Sequence, residues 1–278
     1  MKYDDYKCFQ FKFDRGVAFV VMNYPPFNLL DEIFSEEFDR LGRELEADNA
    51  VRVIVVQSAL PEFFIAHSGL ARVAAASTNV SSTRSFRMTQ SIGERFRNMQ
   101  KVTIARVEGR ARGGGSEIAL ACDMCFAERD KAIFGHPEAG IGLVPGGGST
   151  QRLPRLMGRS RALEILLGCQ DVSAEMAERY GYINRALPSD ELTQVVDELA
   201  YRIAGFPIHT LGHIKRAVDR GAYEQLSEGL LVEAYEADLC VANPITQARV
   251  KLAIQSGFET YQQELDLDEL IGRLPSAK

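Results

Sequence analysis

Three observations predict an α/β fold. Residues 51–58, "VRVIVVQS", are an apolar β-branched run of the kind that forms a strand covered on both faces. Residues 102–124 pass from strand pattern through a glycine-rich turn into helix pattern. Other short strand-like segments alternate with helical ones up to about residue 200.

Taken in order, "CFQFKF" (8–13) and "VAFVVM" (17–22) predict two strands joined at Asp14-Arg15-Gly16, a hairpin signal. A helix is predicted from about Asp31 to Ala47, with Ile33, Phe38, Leu41 and Leu45 near one face. The 51–58 strand follows. "AAASTNVSST" (74–83) reads as a mobile polar loop between a short turn and a helix starting near Ser85. "KVTIARVEG" (101–109) is a strand ending in glycine, and 132–150 reads as strand, turn and second glycine cluster. After Thr150 the strand signal fades. Helices are predicted over 158–168, 173–180, 191–204, 209–220 and about 225–256, the last broken at Pro244. The chain therefore divides into an α/β core (1–200) and a helical C-terminal region (201–278).

Composition excludes several classes. The 278 residues are 46% hydrophobic and 25% charged, as in ordinary globular domains. A net charge of −6 argues against nucleic-acid binding, which depends on Lys and Arg neutralising phosphates. One basic stretch runs from Arg84 to Arg112; it reads as solvated surface charge, with attraction for an anionic ligand as the sharper alternative. The N-terminus lacks an apolar signal region and no run reaches a membrane span, so a cytoplasmic protein without membrane contact is expected. Five scattered cysteines form no disulfide framework. Cys122 and Cys125 read as buried thiols in a helix-like run, and His209 and His213 as an ordinary helix face. No metal site is expected.

The chemistry concentrates around "RGGGSEIALACD" (112–123). Its spacing fits neither a phosphate loop nor a dinucleotide turn, and Ile118 breaks the nucleophile-elbow pattern. Gly113, Gly114 and Gly115 expose backbone N–H groups at a helix start, a place for negative charge or a developing oxyanion. Glu117 follows in the first turn, where the helix dipole favours its ionised form. Glu138 ends a strand before the second glycine cluster. Two carboxylates beside an oxyanion site suit acid–base chemistry on a carbonyl compound. Each Glu alone reads as a surface or capping residue, so their pairing rests on further information.

That information is a resemblance. "KVTIARVEGRARGGGSEIALACDM", "FGHPEAGIGLVPGGGSTQRLPRLMG", "RALEILLGCQDVSAEMAERYGYINRAL", "FFIAHSGL" and "YPPFNLLD" together resemble the crotonase, or enoyl-CoA hydratase/isomerase, family over about residues 8–255. The resemblance implies a spiral core of repeated β-β-α units and a helical C-terminal trimerisation region, giving homotrimers or paired trimers (hexamers). It implies an acyl-CoA thioester substrate, with coenzyme A part of that substrate and no separate cofactor. Ser68 and Gly114 match the two backbone oxyanion donors, and Ala66, Gly69, Leu70 and Gly146 match substrate-lining positions. Glu117 matches the residue that activates water, and Glu138 the one that protonates Cα. Keeping both favours enoyl-CoA hydration. The alternatives are Δ3,Δ2-isomerisation, hydration of a branched or aromatic acyl-CoA, and a non-catalytic acyl-CoA or RNA-binding relative.

Two local features depart from the family pattern. His67 and Gly69 replace the Gly and Asp of the usual A-G-x-D loop. His67 must then tolerate the torsion of a glycine, or the loop bends differently; the imidazole could face the pantetheine or acyl pocket. His136 stands where Gln is common and is expected to hydrogen-bond behind the site. The C-terminal "ETYQQELDLDELIGRLPSAK" lacks the family's E-G-x-x-A-F stretch and basic end, which in relatives hold a neighbour's CoA.

Overall fold

The computed structural model describes residues 3–74 and 85–275. β1 (Phe9–Asp14) and β2 (Val17–Met22) pair antiparallel. Arg15 and Gly16, at φ 45° and 81°, make the two-residue turn whose twist suits a hairpin. α1 (Glu32–Ala47) is capped by Asp31, whose carboxylate accepts the Phe34 N–H at 3.0 Å. Its buried stripe includes Phe34, Phe38, Leu41 and Leu45. Ile33 is instead 46% exposed, because Phe34, one step of about 100° further round, takes the inward position.

β3 (Val53–Ser58) and β4 (Phe63–Ile65) follow, then the short helix α2 (Ala71–Ala74). Apart from Ala74, the expected polar loop lies outside the described residues. α3 (Met88–Asn98) begins three residues after Ser85 and leads to β5 (Val102–Val107). Residues 110–112, expected within the turn, form β6 (Arg110–Arg112) between β4 and the later β8. α4 (Gly114–Ala121) ends before Cys125, which lies in β7 (Met124–Glu128) and not in a helix. β8 (Ile133–Gly135) and a 3-10 turn (Glu138–Ile141) lead to α5 (Ser149–Met157) and α6 (Arg159–Gly168).

Strands do not stop at Thr150. β9 (Val172–Ser173) and β10 (Arg185–Leu187) flank α7 (Ala174–Tyr180), each too short to carry a periodic signal. Helices complete the chain: α8 (Ser189–Ala204), α9 (Ile208–Tyr223), α10 (Leu226–Ala242), α11 (Pro244–Gln255), α12 (Tyr261–Glu264) and α13 (Leu267–Arg273).

The strands build a six-stranded sheet, β1-β2-β3-β5-β7-β10, and a four-stranded one, β4-β6-β8-β9. Beyond the hairpin, the larger sheet is parallel throughout. Its central strands are covered on both faces, as the apolar run at 51–58 predicts. Ile54 and Val56 join one core with α1, α3, α4 and the smaller sheet, while Val53 and Val55 join another closed by α8. α4 is the pivot. Glycine brings it against backbone, since a β-carbon on Gly115 would run into the Ile65 carbonyl oxygen.

The basic stretch resolves into ion pairs with acids from distant elements. Arg97 reaches Asp219 at 2.7 Å, Arg110 reaches Glu62 at 2.7 Å, and Arg112 reaches Asp171 at 2.5 Å. Lys101 is buried and donates to the Val51 carbonyl at 2.7 Å. Much of the local excess charge is thus matched in three dimensions. Arg84 lies outside the described residues.

Candidate active site

The segment before α1 and the loop after β4 run side by side. Leu30 and Ser68 form a parallel bridge; Leu30 N–H donates to His67 O at 3.0 Å and Gly69 N–H to Leu30 O at 2.9 Å. Ala66 N–H donates to Phe27 O at 3.1 Å. Ala66 and Gly69 thus spend their N–H groups on structure, and the Ser68 N–H between them donates to no protein acceptor among the described residues. Asn28, fully buried, fixes this arrangement: its amide nitrogen donates to Ser58 Oγ (2.8 Å) and Phe64 O (2.9 Å).

Opposite stands the start of α4. Gly113 caps it at φ 49°, where a side chain would be strained, and its N–H donates to Gly135 O at 2.9 Å. The Gly114 N–H is likewise free of protein acceptors among the described residues. Gly114 faces Ser68 closely: a β-carbon there would run into Ser68 Oγ and lie 2.7 Å from Leu30 Cδ2. Two unsatisfied N–H groups are therefore carried on adjoining backbone, the arrangement that serves a developing oxyanion.

Glu117 lies three residues along α4 and is 4% exposed. Its Oε1 accepts the Gly147 N–H at 2.6 Å and the Ser149 N–H at 3.3 Å. Burial holds its pKa above the ordinary glutamate value despite these donors, and the nearby Glu138 adds to the rise. Burial thus favours the protonated form, where the position in the first turn of a helix is expected to favour the carboxylate. The second glycine cluster acts here through Gly147, where any side chain would strike Glu117.

Glu138 opens the 3-10 turn and points back at Gly113, whose β-carbon would stand 2.7 Å from Glu138 Oε1. Its Oε2 is buried without a partner, 3.6 Å from His136 Nδ1, itself unpartnered. His136 Nε2 lies 2.9 Å from Tyr182 Oη, which in turn meets Ser116 Oγ on α4.

Of the predicted residues, Ser68, Gly114, Glu117 and Glu138 thus converge on the start of α4. Gly146 is beside them, next to Gly147 and against Arg87 at the start of α3 (3.3 Å from its β-carbon position to Cδ). Leu70 is half exposed at the edge. His67 does not adopt a positive φ, so the loop accommodates its side chain without left-handed backbone. Its ring stacks on Phe27 (centroids 6.5 Å apart) and its Nδ1 lies 2.9 Å from Ser68 O. Asn28, Ser116, Gly147 and Tyr182 escaped the residue-level reading, having no local spacing signal. Cys122 and Cys125 lie apart from the site, and burial pushes the Cys122 thiol up to about 12 and Cys125 well above the ordinary thiol value. Among the described residues no cluster of three metal-ligating side chains occurs, and no helix is long and apolar enough to cross a membrane.

A family model described as enoyl-CoA hydratase/isomerase matches residues 12–264. The short-chain-enoyl-CoA hydratase of Clostridium acetobutylicum is 31% identical over 219 residues, 78% of this chain and 83% of that protein. The enoyl-CoA hydratase crystal structure from Bacillus anthracis superposes with a TM-score of 0.80 at 25% identity, covering 90% of this chain and 96% of that one. Pseudomonas aeruginosa DspI does so with a TM-score of 0.80 at 30% identity, covering 91% and 96%. The chain belongs to the enoyl-CoA hydratase/isomerase family and has the crotonase fold.

Proposed function

We propose that the protein hydrates the 2,3 double bond of an enoyl-CoA thioester. The observation that carries this reading is the pair of carboxylates, Glu117 and Glu138, on two sides of a backbone turn with two unspent N–H groups. Glu117 takes a proton from water as the water oxygen bonds to Cβ. The electron pair of the double bond moves toward the thioester, and the N–H groups of Ser68 and Gly114 hold the resulting enolate oxygen. Glu138 delivers a proton to Cα, leaving a 3-hydroxyacyl-CoA. One such oxyanion donor is worth about 10²–10³ in rate. Ala66, Gly69, Leu70 and Gly146 line the approach of the acyl-CoA. The name of the Clostridium relative supports hydration and a short acyl chain.

The reading includes assembly. Leu226, Leu230, Leu231 and Tyr235 on α10 are exposed, which supports a trimer or a pair of trimers that covers them.

Glu117→Gln and Glu138→Gln, each assayed with a 2-enoyl-CoA and a 3-enoyl-CoA, test the chemistry. Each variant is expected to lose hydration by about 10²–10⁴-fold, the usual range for one general acid or base. Full hydration by either variant would sink the paired mechanism. Isomerisation that survives in Glu117→Gln, with no hydration by the parent, would favour the isomerase instead.

A further inference from the structure

Behind Glu138 runs a buried chain of polar groups that the hydration scheme does not use. Ser116 and Tyr182 are buried, their hydroxyls in contact, and Tyr182 Oη stands 2.9 Å from His136 Nε2. His136 is 1% exposed. On the far side of the ring, Nδ1 faces Glu138 Oε2 at 3.6 Å, and both atoms are buried without a hydrogen-bond partner among the described residues, as is Ser149 Oγ beside Glu117. Unmade buried hydrogen bonds are costly, and such contacts at a site without substrate are often long, so the two atoms facing one another are suited to a closer hydrogen bond.

We propose that His136 is a positioning residue for Glu138: the Ser116–Tyr182 pair fixes the imidazole with its hydrogen on Nδ1, and that N–H receives the charge of the Glu138 carboxylate as Glu138 gives its proton to Cα. The inference rests on the assignment of Glu138 as the Cα acid. One of the two possible directions along the chain suits this step. Burial pushes the Tyr182 phenol far up, so it keeps its proton and has one O–H to give. With the Ser116 hydroxyl donating to Tyr182 Oη, the phenol O–H points at Nε2. Nε2 then accepts, and the ring hydrogen must sit on Nδ1, toward Glu138. The opposite order would aim an Nδ1 lone pair at the carboxylate left once Glu138 has given up its proton. Oε1, the oxygen beside Gly113, remains the one that faces the substrate, and Oε2 the one that is stabilised.

A ring that acts this way affects turnover and not substrate capture, because it is 1% exposed and faces Glu138. The test uses the full-length protein with a straight-chain 2-enoyl-CoA for kcat and KM. Exchange of the Cα hydrogen of the 3-hydroxyacyl-CoA with deuterated water reads the Glu138 step alone. His136→Leu is expected to lower kcat and exchange together by about tenfold or more, the worth of one hydrogen bond to a charged group, with KM within about threefold. His136→Asn, whose amide N–H reaches the Nδ1 position, is expected to recover to within about threefold of the parent. Tyr182→Phe is expected to lower both in the same direction by a smaller factor, since the ring can then take either tautomer. Parental kcat and exchange in His136→Leu would overturn the proposal, as would an Asn variant no better than Leu. If the Leu variant does not fold, the Phe variant decides: unchanged exchange there also overturns it. Full hydration and exchange by Glu138→Gln would instead refute the assignment of Glu138 itself, whatever the His136 variants do.

Discussion

At the scale of single residues, the site trades stability for chemistry. Glu117 is buried and its pKa is raised in the folded protein, so its ionised form opposes folding. That contribution to stability is complete below the ordinary glutamate pKa and is lost as pH rises through the raised value. Glu117→Gln keeps an oxygen for the Gly147 and Ser149 N–H groups and carries no charge. It is expected to melt above the parent near neutral pH, with the gap closing at about pH 4. Equal melting temperatures for the two proteins at both pH values would refute this. The catalytic consequence has the opposite sense: the proposed hydration needs the carboxylate, so the acid limb of the parent's rate profile is expected above the ordinary glutamate range. Ser68 tests the backbone assignment. Ser68→Pro removes the N–H and is expected to cost about 10²–10³ in kcat, while Ser68→Ala keeps it and most of the activity. Loss in the alanine variant with intact fold would move the role to the hydroxyl. At Gly147, a β-carbon would lie 2.7 Å from both Glu117 Cδ and Thr89 Cγ2. Gly147→Ala is expected to displace Glu117, with a kcat loss of about tenfold or more and destabilisation of about 1–3 kcal/mol by denaturant titration.

At the scale of elements, legibility follows length and periodicity. α1 could be read because its inward residues recur at helical spacing and Asp31 supplies a cap; the error at Ile33 was one step of rotation. Asp31→Ala removes the acceptor of the Phe34 N–H and is expected to cost about 1 kcal/mol, read from the shift in denaturation midpoint. The same change removes the acceptor of the Tyr24 O–H, 3.1 Å from Asp31 Oδ2, so an unshifted midpoint would refute the stabilising role of the cap. β3 was legible because its first four residues, Val53–Val56, are apolar and buried on both faces. β6, β9 and β10 were not, since two or three residues hold no period and their pairing comes from neighbours far along the chain. β10 exists because Arg185–Leu187 lies along Phe126–Glu128 in parallel register. Cys125 looked helical because α4 and β7 are both apolar and only Cys122 and Asp123 separate them from one continuous run.

At the scale of the whole molecule, the C-terminal helices leave apolar surface that one chain does not cover. Leu226 and Leu231 are 78% and 67% exposed on α10. The parent is expected to sediment at micromolar concentration as a trimer or a multiple of one. Leu231→Asp is expected to shift it toward smaller species by placing a charge in an apolar contact. A monomeric parent would refute the assembly. His213 and Glu236, on α9 and α10, illustrate a related lesson. The spacing of His209 and His213 showed no acidic neighbour, yet α10 brings Glu236 to 2.5 Å from His213 Nδ1. Partners that arrive across a helix–helix contact leave no mark at local spacing.

The sequence by itself determined the α/β class, the hairpin, the double-covered strand at 51–58 and the glycine-rich start of α4. These depend on local torsions and on the period of apolar residues, both written along a few adjacent positions. Its motifs also singled out Glu117, Glu138, Ser68 and Gly114. Only the tertiary structure decided that Ser68 lies against Gly114, through Leu30 and the buried Asn28, and that Gly147 holds Glu117. It alone brought Tyr182, 66 residues beyond Ser116, into a chain ending at His136 and Glu138. It also reversed the expected bias on Glu117, because desolvation depends on everything packed around a carboxylate, whereas the helix dipole depends only on the turn that carries it.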